Sequence, residues 1–238
     1  MLTTLSFARP TAASQSPASW RRDPSGRQRR ASRTLWIAAV ALAALPAALT
    51  AVAPAPVEAA PAVWKIDPSH SGVTFEVRHF FSLVPGRFTS FSGELTYDEA
   101  APLATTVELE IEVSSIDTDN PKRDDHLRSV DFFDAGNHPA VTFKSTKVEA
   151  ADQPDRYRVT GDLTMRGVTR PVTLDVEVLG FGPDAFGGTR GGFLVTGVVN
   201  RQDFGVTWNK KLDQGGTMLG DEVKVSIPLE VVKETPGK

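Results

Sequence analysis

The chain has 238 residues, 40% hydrophobic and 23% charged, which is enough apolar content for a sizeable core and too little charge for wholesale disorder. It contains no cysteine, which excludes disulfides, thiolate catalysis and cysteine-ligated zinc or iron–sulfur centres. The formal charge of −3 hides an asymmetry: residues 1–59 hold seven arginines against Asp23 and Glu58, whereas residues 60–238 carry a net −8, a balance that repels nucleic-acid backbones.

In chain order, Arg29, Arg30 and Arg33 precede an uncharged run rich in Ala, Leu and Val from Trp36 to Val52. Basic, then apolar, then small is the order of a secretory signal peptide. The run contains Pro46 and falls short of the roughly 20 residues a spanning helix needs, so a cleaved leader is expected rather than an anchor. Small residues place cleavage between Ala59 and Ala60, with the step after Ala62 as second choice. The expected organisation is a signal peptide over 1–59 and one domain over 60–238. That domain is expected to be periplasmic or secreted, with no stable membrane span after cleavage.

Beyond the leader, apolar and polar residues alternate with period two, the mark of half-buried strands. Val73, Phe75, Val77 and His79 share one face of the segment 73–79. In 107–113, Val107, Leu109, Ile111 and Val113 oppose three glutamates, which a strand lines up toward solvent and a helix scatters. The pattern recurs over 87–97, 140–149, 156–166, 171–179, 192–199 and 222–232, predicting eight strands. Gly180-Phe181-Gly182-Pro183 and Gly187-Gly188 are read as turns between antiparallel neighbours. One segment breaks the alternation. Asn120 is a good N-cap and Pro121 a good first residue for a short helix over 122–130, with Asp124 and Arg128 as a supporting i,i+4 pair. No pattern of Rossmann, TIM-barrel or solenoid type is present.

Eight one-sided strands close into an antiparallel barrel or pack as a sandwich, and periodicity alone does not choose. The inward faces carry Val73, Phe75, Val77, Leu109, Ile111, Leu163, Met165, Val172, Leu174, Val176, Phe193, Val195, Val223, Val225 and Ile227. These residues either fill a solid structural core or line a dry cavity. Gly161 and Gly197 interrupt two of the faces and leave room on the inner wall. A cavity of this kind gains about 0.8 kcal/mol for each methylene taken from water. His79, in phase with the inward set, is read either as a contact for a ligand's polar head near one mouth or as a core histidine bonded to a strand carbonyl. An enzyme of lipid or quinone metabolism using His79 remains an alternative, although no catalytic motif supports it. Asp124, Asp125, His126, Asp131, Asp134 and His138 match no metal-ligand spacing and are read as ion-pairing residues.

Several ordered segments carry a resemblance. They are Ile66-Asp67-Pro68-Ser69-His70-Ser71, Phe75-Glu76-Val77-Arg78-His79, Gly86-Arg87-Phe88 with Phe91-Ser92-Gly93, and Ser115-Ile116-Asp117-Thr118. Further on come Arg123-Asp124-Asp125-His126-Leu127 with Asp131-Phe132-Phe133, Pro139 to Ser145, Gly161 to Thr169, and Arg201-Gln202-Asp203-Phe204-Gly205. From Val63 to about Lys233 the chain resembles the YceI-like family of exported, lipocalin-like, polyisoprenoid-binding proteins. The resemblance implies an eight-stranded antiparallel barrel closed in part by a short helix, with an apolar tunnel holding a long-chain isoprenoid or fatty-chain ligand. No other cofactor, no metal and no enzymatic activity are expected, and the protein is expected to be a monomer or homodimer. The tunnel lining is then expected from Val73, Phe75, Val77, His79, Leu109, Ile111, Leu163, Met165, Phe193 and Val195. Phe88, Phe132, Arg166, Arg201 and Trp208 are expected at the mouth. Arg166 and Arg201 each end an apolar strand, where a guanidinium either grips an anionic head group or braces a turn.

Overall fold

The structure is a computed structural model that describes residues 61–213 and 215–235. The expected signal peptide and its cleavage site lie outside the described residues. The alternating segments form eleven strands. They are β1 (Ala62–Ile66), β2 (Val73–His79), β3 (Ser82–Phe88), β4 (Phe91–Tyr97), β5 (Thr106–Glu112) and β6 (Ile116–Asp117). After the helix come β7 (Ala140–Ala150), β8 (Arg156–Met165), β9 (Val168–Pro183), β10 (Thr189–Asn200) and β11 (Leu219–Lys233).

These eleven strands occupy eight positions around a closed antiparallel barrel. β11 pairs with β2 from Val223↔Val77 to Ser226↔Thr74, then with β1 from Val231↔Ile66 to Lys233↔Trp64. β1 and β2 are thus one wall position, interrupted by the loop 67–72. β3 with β4, and β5 with β6, are interrupted in the same way, since β4 pairs with β5 and β3 with β6. β7 to β10 complete the circuit, and because β1 pairs with both β4 and β11, no edge remains along that ring. The barrel holds its own core, from Trp64 and Ile66 to Ile227 and Val231, so the described residues have what an independently folding domain requires.

Period-two reading locates the walls but misses their interruptions. The expected strand 87–97 breaks at Thr89-Ser90, and β1 falls outside the eight expected segments. The glycine-rich stretch Gly180–Pro183 is not a turn: it continues β9, pairing with Thr189–Gly192 of β10. Phe181 makes this work. Its ring lies over Gly191, where a Cβ would come within 2.4 Å of Cε1. Gly161 and Gly197 likewise do not leave room for a guest. Phe143 already covers Gly161 and Leu174 covers Gly197, so close that a Cβ on either glycine would meet them at 2.4 and 2.5 Å.

The helix α1 (Pro121–Arg128) starts as expected, with the Asn120 side chain accepting from Arg123 N–H at 3.1 Å. It stops at Arg128, two residues early. The expected Asp124–Arg128 pair is replaced: Asp124 turns inward, where its Oδ1 accepts from Thr118 N–H (2.9 Å) and Oγ1–H (2.5 Å). Arg128 instead reaches Asp125 at 3.2 Å and donates to the carbonyls of Ser114 and Ile116. Ile116 opens β6 and Ser114 lies just before it, so the arginine ties α1 to the wall. Among the described residues no helix is long and apolar enough to cross a membrane.

Candidate functional site

The barrel is hollow. A cavity of about 440 Å³ runs through it, in the range of sites that enclose small ligands. Its lining on β11 extends from Leu219 to Leu229. At about 3.3 Å per residue and a strand tilt of roughly 40°, that is about 25 Å along the axis. Val73, Phe75, Val77, His79, Leu109, Ile111, Leu163, Met165, Phe193 and Val195 all face this cavity. They meet because alternate residues of neighbouring strands face the same side, as Val195 does between Val176 and Ile227. Val113 departs from the expected inward set. It begins a 3-10 turn at Val113–Ser115 and is buried in the core away from the lumen.

The two ends differ. The α1 end is bounded by the β2–β3 hairpin, α1 with the following Phe132 and Phe133, and the connection 201–218. Here the lining turns polar, with Thr118, Arg123, His126, Arg201, Trp208 and His79. Arg123 Nε donates to Thr118 Oγ1 at 2.7 Å and Nη2 to Thr118 O at 2.6 Å. His126 pairs through Nε2 with Asp131 at 2.9 Å, and its ring packs on Phe132 and Trp208 at 4.9 and 5.0 Å. The His79 ring has no hydrogen-bond partner among the described residues; it meets Phe80 edge-on at 4.7 Å.

Of the five expected mouth residues, Phe88, Phe132, Arg201 and Trp208 line this cavity, and Arg166 does not. Both arginines are braces. Arg166 donates to the carbonyls of Phe132 and Gly205 at 2.9 Å and of Val130 at 2.7 Å, joining the β8–β9 turn to two other connections. Arg201 is buried and donates to the carbonyls of Gly220, Val206 and Trp208, and to Asp221 at 3.1 Å. Burial pushes its pKa below the ordinary value, and Asp221 opposes that shift. A guanidinium so occupied has little donor capacity left for a head group. Thr118, Arg123, His126 and Leu127 escape a strand-based reading because α1 and the approach to it present them.

At the far end, where Tyr97, Thr105 and Tyr157 join the lining, aromatic rings pack together. Phe181 stacks on Tyr97 at 4.8 Å and packs against Trp64 and Phe193 at 5.2 and 5.6 Å. Outside these rings, Arg190 donates to Asp67 (2.6 Å), Asp184 (3.3 Å) and Glu230, clasping the loop 67–72 to β11 and the β9–β10 turn. The Arg190 guanidinium, aided by His70, holds the Asp67 carboxyl well below the usual carboxylate range. Asp67, His70 and Glu230 converge closely enough to resemble a cation site. Arg190 already supplies the positive charge there.

Comparison with known proteins agrees with this geometry. The YceI-like domain family matches residues 64–231. A UPF0312 protein of Pseudomonas paraeruginosa is 38% identical over 180 residues, covering 74% of this chain and 90% of its own. Protein YceI of Escherichia coli O157:H7 is 40% identical over 174 residues, covering 72% and 87%. Among solved structures, Burkholderia cenocepacia BcnA superposes with a TM-score of 0.62 at 27% identity, covering 69% of this chain and 98% of that one. A polyisoprenoid binding domain from Saccharophagus degradans shares the fold at a TM-score of 0.52 and 16% identity, covering 72% and 98%. With two thirds of its length matched by the family and relatives at 40% identity, the chain belongs to the YceI-like family.

Proposed function

We propose that this protein is an exported carrier that encloses a long-chain isoprenoid or similar amphiphile in its barrel and catalyses no reaction. The observation that carries the reading is the hollow itself: an apolar lumen of about 440 Å³ with its charged and imidazole groups at the α1 end. A solid structural barrel has no such space. Burial of a tail at about 0.8 kcal/mol per methylene supplies affinity without a covalent or ionic anchor. Thr118, Arg123, His126 and His79 at the α1 end would meet a polar head. The Saccharophagus degradans domain, described as polyisoprenoid binding, shares this barrel and supports the reading. The enzymatic alternative has His79 alone, and that ring has no acidic partner among the described residues.

The test is to purify the protein from its native host and analyse the organic extract by mass spectrometry, beside a Val195→Trp variant. Val195 faces the lumen mid-barrel, so the indole fills space that a guest needs. The expected result is a single class of long-chain amphiphile from the wild type and at least about tenfold less from the variant, with unchanged circular dichroism. Recovery of no amphiphile from the wild type would falsify the carrier reading.

A further inference from the structure

The two ends of the barrel both expose apolar side chains, and their charges separate them. At the far end the connections 98–105, 151–155 and 184–188 hold Asp98, Glu99, Asp152, Asp155 and Asp184 and no basic residue. At the α1 end the hairpin segment 78–87 holds Arg78 and Arg87 and no acid, and the adjoining 207–218 holds Lys210 and Lys211 against Asp213. Arg87 is paired with Asp117 and Asp119, while Arg78, Lys210 and Lys211 are exposed. This basic region is local: α1 and its flanks balance Lys122, Arg123 and Arg128 against more acids. It stands out within a domain of net −8.

At its centre is the β2–β3 turn, Phe80-Phe81. Two-residue hairpin turns favour Asn-Gly or Gly-containing pairs. Here both central residues are phenylalanine, and Phe80 sits at φ 50°, a conformation that bulky residues rarely adopt. Phe81 is fully exposed (102%), Leu83 is 49% exposed and Phe80 38%. The tip is fixed in place: Phe80 N–H donates to Met218 O at 2.8 Å, Met218 N–H to Lys210 O at 3.0 Å, and Arg78 Nη1 to Phe80 O at 3.0 Å. It is also continuous with the cavity. Phe80 packs on His79, and His79, Val84 and Met218 line the lumen.

We infer that the Phe80-Phe81 tip, with its collar of Arg78, Lys210 and Lys211, is a docking surface for an anionic phospholipid bilayer. Two aromatic rings enter the headgroup–acyl boundary, the cations meet anionic headgroups, and the polar-lined end of the lumen faces the membrane. This rests on the carrier reading for its purpose, since a greasy guest must leave one membrane and enter another without crossing water. Its physical basis is independent of what the lumen holds.

The test is vesicle flotation of residues 60–238, which lack the apolar run 36–52, with phosphatidylcholine alone or mixed with phosphatidylglycerol. The wild type is expected to float with the mixed vesicles, less so in pure phosphatidylcholine or at high salt. Phe80→Ser with Phe81→Ser, and separately Lys210→Gln with Lys211→Gln, should each weaken binding about tenfold or more. Phe186→Ser, at the far end where Phe186 is 91% exposed, should leave it unchanged. Native mass spectrometry of the same samples reads lumen occupancy separately, so loss of docking with a retained guest is distinguished from loss of the guest. A wild type that ignores both vesicles, as it would if the tip served a protein partner, overturns the inference. So does binding that survives both double variants, or that Phe186→Ser abolishes equally.

Discussion

The two ends of this barrel solve the same closure problem with different chemistry. At the α1 end, Arg166 and Arg201 point into the protein and collect backbone carbonyls from connections distant in sequence, so loops without regular structure are held by charge-assisted hydrogen bonds. At the far end, four aromatic rings pack across the lumen, and the ionic clasp of Arg190 lies outside them. One end carries Arg123, His126 and Arg201 within and exposed phenylalanines at its tip; the other carries Tyr97, Thr105 and Tyr157 within and acids outside. A polar-lined end can release and re-form contacts with a head group, whereas packed rings give up dispersion contacts whenever they part. On the carrier reading proposed above, that contrast makes the α1 end the expected entry.

The largest effect that tests this contrast is expected at Arg201. Arg201→Ala leaves the carbonyls of Gly220, Val206 and Trp208 without this donor, while Asp221 keeps Gln202 Nε2 at 2.6 Å, and should lower stability by about 3 kcal/mol in urea denaturation. Arg201→Lys should recover only part, because an ammonium cannot reproduce the planar fork. Amide exchange should quicken in 201–208 and in α1, and remain unchanged at the β9–β10 turn. Uniform loss of protection along the barrel would show that the ends are not independent.

Arg190 is the corresponding test at the far end, with a smaller effect that depends on pH. Its guanidinium is the main cause of the lowered Asp67 pKa, so the ionised carboxylate stabilises the folded state. A depressed carboxylate contributes in full above its unfolded pKa of about 4, and the contribution is lost as the pH falls through the folded value. Arg190→Gln should therefore be less stable than wild type at neutral pH, with the gap narrowing steadily below about pH 4. Asp184 should titrate nearly as before, because its lowering comes first from the N–H groups of Gly188 and Phe186. Urea melts at neutral and acidic pH measure the gap, and a gap independent of pH would remove Asp67 from the account.

What can be read from the sequence follows the same division. Lumen-facing residues are legible because period two is a local property: Val73, Phe75 and Val77 share a face wherever the strand goes. The destinations of side chains at the ends are not. That Arg166 and Arg201 end strands is visible in the sequence, but their carbonyl partners at Phe132, Gly205 and Gly220 come together only when loops meet. Gly180-Phe181-Gly182-Pro183 reads as a turn because Gly and Pro punctuate turns. The fact that overrides this, Phe181 lying over Gly191, is a cross-strand contact. The same kind of contact closes the spaces expected at Gly161 and Gly197. Asp124 does sit on α1, yet its partner is Thr118, before the helix, rather than Arg128 one turn on.

The smallest expected effect gives the sharpest reading of the comparison. The far end also exposes Leu103, Leu179 and Phe186, so apolar area alone does not make the α1 end the membrane-facing one. If acidity is what keeps the far end off an anionic surface, neutralising it should create weak docking there. Glu99, Asp152 and Asp155 are exposed, and Asp155 holds a left-handed φ of 58° that asparagine accepts readily. Glu99→Gln, Asp152→Asn and Asp155→Asn, placed in the Phe80→Ser, Phe81→Ser background, should raise flotation with phosphatidylglycerol vesicles by about two- to fivefold. Adding Phe186→Ser should cancel the gain, since charge neutralisation only permits contact and the ring supplies the insertion. No gain from the neutral triple variant would mean that the shape of the Phe80-Phe81 tip, rather than the charge difference between the ends, selects the docking face.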